Sequence, residues 1–230
     1  MTASIAIYEK TIERLASRLE ALDLDIALIP FTAAGDYRID GKTVPPEEAD
    51  IDYLWLSPDL SFDKLVGPAL EMALSTRSLG VMQTFNAGLD NPLYKQIGER
   101  GVRLCNSDAQ AIAISEYVMA NVLAAFHPLA RRRELQARRT WEKTPFREIS
   151  GTTWLIVGFG PIGRNVARRA RAFDANISVI RRTPEAIEGI ERVGTLADIQ
   201  DFLPDADVVV LACALNEETR GMAGPRFFEA

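Results

Sequence analysis

Residues 152–173, TTWLIVGFGPIGRNVARRARAF, decide the fold, because they join a strand, a glycine-rich turn and the start of a helix. The apolar run at residues 154–157 predicts a strand that is buried on both faces of a parallel sheet. After the turn, apolar and arginine side chains recur on opposite sides of a helix, which places one side on the sheet and the other in water. The stretch therefore predicts a βα unit.

Three glycines in this stretch give the pattern GxGxxG. Gly158 permits a tight turn, Gly160 lets the backbone approach a pyrophosphate, and Gly163 lets the helix pack on the strand. Pro161 suits the first helical turn, where the neighbouring N–H groups can face phosphate. Such turns also occur without a ligand, but here a second predicted strand follows at residues 176–180. We therefore predict dinucleotide binding by the whole turn: Gly158, Phe159, Gly160, Pro161, Ile162 and Gly163.

The amino-acid composition argues against several classes of function. The chain has 230 residues, 47% hydrophobic and 25% charged, which is ordinary for one large globular domain or two modest ones. The net charge of −6 argues against a general polyanion binder. Cys105 and Cys213 lie in or beside apolar runs, which indicates buried thiols in a reducing cytoplasm, not a disulfide framework. No apolar run reaches the roughly 18 residues of a membrane span, so no membrane partner is expected.

The N-terminal half alternates short apolar runs with helical patterns, which predicts an α/β layer with a mostly parallel sheet. Residues 31–50 contain glycine, two adjacent prolines and several charges without a period, so we predict a surface loop there. Ser61 is expected to cap a helix that runs to about Leu74.

Residues 107–110, SDAQ, match a capping box, in which the serine and glutamine side chains satisfy unpaired backbone donors. A long helix is expected to begin there and to kink or restart at His127 and Pro128. We place a domain boundary at its start. Residues 1–106 then form one domain, and residues 107–230 form a bridging helix and the nucleotide-binding domain.

The order of these features resembles that of the D-isomer-specific 2-hydroxyacid dehydrogenases, a family of nicotinamide-dependent oxidoreductases. The resemblance covers nearly the whole chain and rests on FNAGLDN at 85–91, a capped helix with Ser115 and Glu116, VGFGPIGRNVARRARAF at 157–173, and ADVVVLACALNEETRGM at 206–222. It implies a Rossmann-type doubly wound parallel sheet, here incomplete, and a smaller flavodoxin-like α/β substrate domain.

The resemblance also implies site residues. The loop that matches Ala87 and Gly88 offers backbone N–H groups to the substrate carboxylate, although Asn86 stands where glycine is more usual. Ser57 is a weaker candidate for the same pocket and is equally well explained as a helix-start residue. Ala214 and Leu215 are expected to contact the coenzyme.

In this family an arginine, a glutamate and a histidine perform catalysis, and all three follow the loop that matches residues 215–221. The only histidine, His127, lies far upstream in the bridging helix. We expect a helix-end or interface role for it instead of acid/base work, which requires reach to the substrate.

In the strand order 3-2-1-4-5-6, the strand at residues 207–212 is fourth and lacks its two outer neighbours. We therefore hypothesise a fragment of a longer dehydrogenase, with no catalytic residue in these 230 positions.

The tip of the second nucleotide-domain strand predicts the coenzyme. An acidic residue at this point normally bonds the ribose 2′-hydroxyl of NAD, but here the sequence reads Arg181, Arg182, Thr183. Two guanidinium groups beside a hydroxyl suit a phosphate, which favours NADP, with NAD as the second choice. The alternative is that both arginines are simply solvated at a loop.

The leading hypothesis is a reductase of small 2-oxo acids such as glyoxylate or hydroxypyruvate, whose chain alone is inactive. A second hypothesis is a non-catalytic NADP-binding or interaction protein with the same fold. Nucleic-acid binding through the arginines of residues 131–139 is disfavoured by the acidic total and the absence of interleaved aromatics. Related enzymes are commonly dimers built around the bridging helix, so the resemblance implies a homodimer.

Overall fold

The computed structural model describes residues 2–230, and the chain divides into two compact units, Met1–Ser107 and Asp108–Ala230. Each unit is built on its own sheet. The predicted boundary lay between residues 106 and 107, one position before the division between the units.

The first unit contains a seven-stranded sheet. Its strands are β1 Ala3–Tyr8, β2 Ile26–Phe31, β3 Tyr37–Ile39, β4 Lys42–Val44, β5 Asp50–Trp55, β6 Ser78–Gln83 and β7 Arg103–Cys105. Its helices are α1 Glu9–Glu20, α2 Asp59–Phe62, α3 Val66–Ser75 and α4 Pro92–Glu99. The order β4-β3-β2-β1-β5-β6-β7 contains a parallel 2-1-5-6-7 core, which is the flavodoxin-like arrangement.

The prediction of a surface loop at residues 31–50 is wrong, because part of this segment forms a β-hairpin. Strands β3 and β4 pair antiparallel from Tyr37 opposite Val44 to Ile39 opposite Lys42. Asp40 and Gly41 form the two-residue turn with φ of 49° and 74°, the positive values that the hairpin turn requires. The buried Tyr37 anchors the hairpin, with its hydroxyl oxygen 2.8 Å from Thr76 Oγ1, and burial raises its pKa to about 12.

The prediction of a single helix from Ser61 to about Leu74 is also wrong. Ser61 lies inside α2, and a break at Lys64 separates this short helix from α3. Lys64 has a φ of 60°, which is a left-handed conformation that ends the first helix. Two helices therefore cover the sheet where one was predicted.

The second unit contains a four-stranded parallel sheet in the order β10-β9-β8-β11. The strands are β8 Thr153–Val157, β9 Asn176–Ile180, β10 Arg192–Gly194 and β11 Val208–Leu211. The helices are α5 Ala111–Phe126, α6 Leu129–Ala137, α7 Pro161–Arg171 and α8 Pro225–Phe228, with 3₁₀ turns at Leu196–Asp201 and Leu203–Asp205. This 3-2-1-4 order is that of a Rossmann-type sheet.

Strand β8 is buried on both faces, as its apolar run predicted. Trp154 and Ile156 pack into a cluster with Val166 and Ala170 of α7. Leu155 and Val157 point the other way, into a cluster with Phe202 and other side chains from the second half of the unit. Alternate side chains of one strand thus anchor two layers, because successive residues of a strand face opposite sides.

The bend at His127 and Pro128 is confirmed, since α5 and α6 meet there at 62°. The predicted helix start at Ser107 is too early, because regular helix begins at Ala111, whose N–H donates to the Asp108 carbonyl oxygen. Across residues 2–230 no single helix is long and apolar enough to cross a membrane. The bent pair α5 and α6 satisfies that test by length and composition only.

Asp207 joins the starts of β8 and β11. Its carboxylate accepts the Thr153 N–H at 2.8 Å and also pairs with Arg147. The Thr153 N–H, helped by Arg147, lowers the pKa of Asp207 below its ordinary range.

Because the folded-state pKa is lowered, the charge of Asp207 stabilises the fold above the ordinary carboxyl pKa, and that contribution is lost as the pH falls through the lowered value. We expect Asp207→Asn to weaken the second unit by about 1 kcal/mol at pH 7. The difference from the wild type should shrink towards pH 3. Amide exchange of β8, followed by NMR from pH 7 to pH 3, measures this, with Asp201→Asn as the control. An equal pH dependence in all three proteins would contradict the role of Asp207.

Candidate functional site

A cleft of about 1220 Å³ opens at the carboxyl ends of the second unit's strands. Its walls come from four segments: the glycine turn after β8, the tip of β9, the loop after β10 and the loop after β11. The lining residues are Val157, Gly158, Phe159, Gly160, Ile180, Arg181, Arg182, Thr183, Thr195, Leu196, Ala197, Ala212, Cys213, Ala214, Asn216, Glu218 and Thr219. Ligands of open α/β sheets bind in this position.

Two of the three glycines are required by packing within the protein. Gly158 has a φ of 96°, and a Cβ there would lie 2.5 Å from the Cys213 nitrogen. A Cβ on Gly163 would lie 2.1 Å from the Gly158 carbonyl oxygen. The first glycine therefore lets the turn pass under the loop after β11, and the third brings α7 against the turn.

Gly160 differs from these two because, apart from Gly160 itself and its neighbours Phe159 and Pro161, no protein atom lies within 4 Å of the position that its Cβ would take. It is the residue that caps α7, followed by Pro161 at the first helical position. Nothing within the protein therefore requires glycine here. Gly160 lines the cleft, where a ligand's phosphates can approach the backbone.

The tip of β9 brings positive charge to the cleft. Arg181 is held by its backbone N–H, which donates to the Gly194 carbonyl oxygen at 2.9 Å. Arg182 and Thr183 follow on the same wall. Among the lining residues, Arg181 and Arg182 are cationic, and Glu218, on the loop after β11, is the one carboxylate. The cleft therefore carries a net positive charge, although the chain as a whole is acidic.

The loop after β10 forms a third wall through Thr195, Leu196 and Ala197. The Thr195 N–H and hydroxyl both donate to the Asp198 carboxylate at 2.8 Å, which starts a 3₁₀ turn. These bonds, led by the backbone N–H, lower the pKa of Asp198 below its ordinary range. Burial raises the pKa of the Cys213 thiol, which lies on the fourth wall.

The residues fit a dinucleotide coenzyme. The volume exceeds the roughly 300–1,000 Å³ of a pocket for a drug-sized ligand, the space beside Gly160 is open to a pyrophosphate, and the arginines supply counter-charge. No group of three or more His, Cys, Asp or Glu side chains in residues 2–230 is placed to hold a metal ion.

The structure places most of the predicted coenzyme residues at the cleft. Gly158, Phe159, Gly160, Arg181, Arg182, Thr183 and Ala214 line it. The remaining four, Pro161, Ile162, Gly163 and Leu215, do not. Pro161 and Gly163 shape the start of α7, and Ile162 packs on the cluster around Trp154.

The predicted substrate loop lies in the first unit, after β6. The Asn106 side chain donates to the Ala87 carbonyl oxygen at 2.8 Å. The Asn86 amide donates to the hydroxyl of the buried Tyr94 at 2.9 Å, so this departure from glycine adds a side-chain anchor to the loop. A Cβ on Gly88 would meet nothing closer than 3.5 Å, so the protein itself leaves space there.

Ser57 is fully buried at the end of β5, with its hydroxyl 2.5 Å from Thr11 Oγ1. Thr11 also donates to Asp59 at 2.7 Å, and Arg14, the strongest influence, lowers the pKa of that carboxyl. These contacts connect the start of α2 to α1. They favour the helix-start interpretation of Ser57 over the substrate contact.

His127 lies at the bend between α5 and α6 and not among the residues that line the cleft. Its ring stacks on Phe146 with 5.1 Å between the centroids. Arg132 lies 5.5 Å from the same Phe146 ring. This is the helix-end setting that the sequence predicted for the single histidine.

Comparison with known proteins agrees with this geometry. Residues 119–230 match the family model described as D-isomer specific 2-hydroxyacid dehydrogenase, NAD binding domain. Residues 119–230 belong to this dehydrogenase family. The matched region contains the glycine turn, the β9 tip and the loops after β10 and β11, so it includes all four walls of the cleft.

One curated relative within the dehydrogenase family is hydroxypyruvate reductase from Thermotoga maritima, 30% identical over 148 residues, which are 63% of this chain and 47% of the relative. A second is D-3-phosphoglycerate dehydrogenase from Methanocaldococcus jannaschii, 29% identical over 64% of this chain and 29% of the relative. The chain thus spans half or less of the length of the curated relatives that it matches first.

Solved structures show the same fold. A dehydrogenase of this family from Xanthobacter autotrophicus Py2, in complex with NADPH and MES, aligns with a TM-score of 0.70 and 20% identity over 99% of this chain and 68% of that one. The NADPH-dependent glyoxylate/hydroxypyruvate reductase from Sinorhizobium meliloti, in complex with NADP and sulfate, aligns with a TM-score of 0.67 and 22% identity. The alignment covers 96% of this chain and 65% of that one.

Sequence reasoning missed ten lining residues, namely Val157, Ile180, Thr195, Leu196, Ala197, Ala212, Cys213, Asn216, Glu218 and Thr219. The pattern T-x-x-D at residues 195–198 is a capping-box signal that was available in the sequence. Asn216 and Thr219 are three residues apart in a polar loop, which is also a local signal for a side-chain-closed turn. Cys213 had no such signal, because its place depends on long-range packing against Gly158.

Proposed function

We propose that this chain provides the substrate-binding and coenzyme-binding parts of an NADP-dependent oxidoreductase that reduces a small 2-oxo acid of the glyoxylate or hydroxypyruvate class. The observation that carries the proposal is the cleft, in which an open glycine turn and two arginines lie together. The family of residues 119–230 supplies the reaction type, and the named relatives supply the substrate class.

The choice of NADP over NAD rests on charge at the β9 tip. The 2′-phosphate of NADP is the group that separates the two coenzymes, and a carboxylate at this tip would repel it. Here Arg181 and Arg182 stand at the cleft wall instead. Guanidinium groups bind phosphate through charge-assisted and often bidentate hydrogen bonds. Two structural neighbours are complexes with NADPH or NADP, in agreement with this choice.

When bound, the nicotinamide ring would supply a hydride to the keto carbon of the acid. The residues of this chain hold and orient the reactants. Gly160 admits the pyrophosphate to the backbone at the start of α7, and Gly158 permits the tight turn that precedes it. In the first unit, Ala87 and Gly88 present backbone N–H groups for the substrate carboxylate. Positioning of this kind is a large part of catalysis by such enzymes.

We also propose that the protein is a homodimer in a reducing cytoplasm. The family resemblance supports the dimer, and α5 carries exposed apolar side chains, Ile112 at 56% and Tyr117 at 69% exposure. Both cysteines are free and half-buried. Sedimentation equilibrium of the purified chain measures its mass.

A titration of the purified chain with NADPH, followed by nicotinamide fluorescence, tests the proposal. We expect saturable binding that is tighter than binding of NADH, because only NADPH carries the phosphate for the arginines. Oxidation of NADPH with glyoxylate or hydroxypyruvate should be negligible for these 230 residues alone, because their one histidine lies at the α5–α6 bend. Failure to bind either nucleotide would refute the coenzyme assignment.

Measurable turnover by the chain alone would show that another group replaces the histidine. The alternative function, a non-catalytic NADP-binding protein, predicts the same binding. It differs in predicting no reduction of 2-oxo acids even by the longest natural form of the chain. The same NADPH oxidation assay on that form separates the two functions.

A further inference from the structure

The loop between β11 and α8 forms the fourth wall of the cleft, and it has no regular secondary structure between Leu211 and Pro225. Its far end is anchored, because Met222 and Ala223 pack on the cluster that contains Phe227. Its near end is anchored where Ala212 N–H donates to the Val157 carbonyl oxygen at 2.8 Å. The middle of the loop, which touches the cleft, depends on its own hydrogen bonds.

Asn216 and Thr219 close the middle of this loop with reciprocal bonds. The Asn216 N–H donates to Thr219 Oγ1, and the Thr219 N–H donates to Asn216 Oδ1, both at 2.9 Å. The Thr219 hydroxyl lies 2.7 Å from the Ala214 carbonyl oxygen and 3.1 Å from Asn216 Oδ1. A hydroxyl has one proton, so we assign it to the nearer oxygen, that of Ala214.

These bonds join three residues that all line the cleft: Ala214, Asn216 and Thr219. A flexible loop loses conformational freedom when a ligand binds, and that loss lowers affinity. A loop that is already closed by its own side chains avoids most of the loss. The bonds also fix the Ala214 backbone next to Cys213, whose own backbone lies against Gly158. The lock is thus connected to the glycine turn.

We propose that the hydroxyl of Thr219 and the side-chain amide of Asn216 form a lock that pre-organises the fourth wall for the coenzyme. They are positioning residues, which act through the backbone of residues 213–216. This inference rests on the proposed coenzyme binding at the cleft. The lock lies on a different wall from Arg181 and Arg182, so it stabilises NADP and NAD complexes alike, whereas the arginines discriminate between them.

The test compares the dissociation constants of NADPH and NADH in the wild type and four variants by fluorescence titration. Thr219→Val keeps the shape of the side chain but removes the hydroxyl, and we expect it to weaken both coenzymes by about tenfold with their ratio unchanged. Thr219→Ser restores the hydroxyl and should restore both affinities. Glu217→Gln is the matched control, because Glu217 lies in the same loop outside the cleft lining.

A melting curve of each protein accompanies the titrations, and we expect Thr219→Val to melt within a few degrees of the wild type, since the loop is exposed. Asn216→Ala, which removes the amide, is a second route to the same loss of affinity. Two results would overturn the lock. One is coenzyme affinity that is unchanged in both Thr219→Val and Asn216→Ala, and the other is affinity that is as weak in Thr219→Ser as in Thr219→Val. Wild-type protein that binds neither nucleotide overturns the proposed function itself, so the two failures are distinguishable.

Discussion

Replacing Arg181 and Arg182 together by alanine should weaken NADPH binding by about 100-fold and leave NADH binding nearly unchanged. Each guanidinium group that bonds a phosphate contributes about 1.5 kcal/mol or more, and 1.4 kcal/mol is a factor of ten in affinity. Both arginines stand on one wall of the cleft at the β9 tip. The 2′-phosphate is the group that NADH lacks, so the loss should appear in one coenzyme only.

The control for this experiment removes the same charge elsewhere in the unit. Arg138 and Arg168 are exposed and lie outside the cleft lining. Their double alanine variant reports the effect of net charge on binding of an anion. If NADPH and NADH bind with equal affinity in the wild type and in both double variants, the arginines do not select the coenzyme. Fluorescence titration at one fixed ionic strength gives all six constants.

Gly163→Ala and Gly160→Ala should differ strongly in their effect on stability, although both add one methyl group to the same turn. At position 163 the new Cβ would lie 2.1 Å from the Gly158 carbonyl oxygen and 3.2 Å from Ile156 Cγ2. The helix must move away from the turn, so we expect a loss of about 3 kcal/mol of stability in the second unit. At position 160 the Cβ meets no protein atom within 4 Å, and we expect a loss of only about 0.5 kcal/mol.

For coenzyme binding, by contrast, Gly160 should be the sensitive position. The methyl group of Gly160→Ala occupies the space into which a pyrophosphate would come, so NADPH affinity should fall by about tenfold in a stable protein. Chemical denaturation measures the first effect and fluorescence titration the second. A Gly160→Ala protein that binds NADPH as tightly as the wild type would place the pyrophosphate elsewhere.

The glycine turn was predictable because its signals are local. Strand, turn and helix follow each other within residues 152–173, and each glycine role can be stated from sterics alone. The hairpin at Asp40 and Gly41 was equally local, since an aspartate followed by glycine between alternating residues is a strong hairpin signal. The adjacent prolines and the charges of the same segment, however, are typical of a loop, and they outweighed this hairpin signal in the prediction.

Other features had no local signal. Lys64 adopts a φ of 60°, a conformation that lysine seldom takes, so the break between α2 and α3 follows from packing that the sequence does not display. Ser57 was ambiguous because its position after a strand suits either a pocket or a helix start. Its bond to Thr11, which is 46 residues away in the chain, decides in favour of the helix start. Long-range contacts of this kind cannot be read from periodicity.

The position of the cleft in the chain also affects when the cleft can form during synthesis. All its walls come from one continuous segment, from Val157 to Thr219, and that segment pairs with itself in a parallel sheet. Once Thr219 has left the ribosome, every wall of the nucleotide pocket has been synthesised. A ligand that binds only the folded form adds to its stability by mass action. Under the proposed function, NADPH bound at this cleft would stabilise the folded unit as soon as it forms during translation.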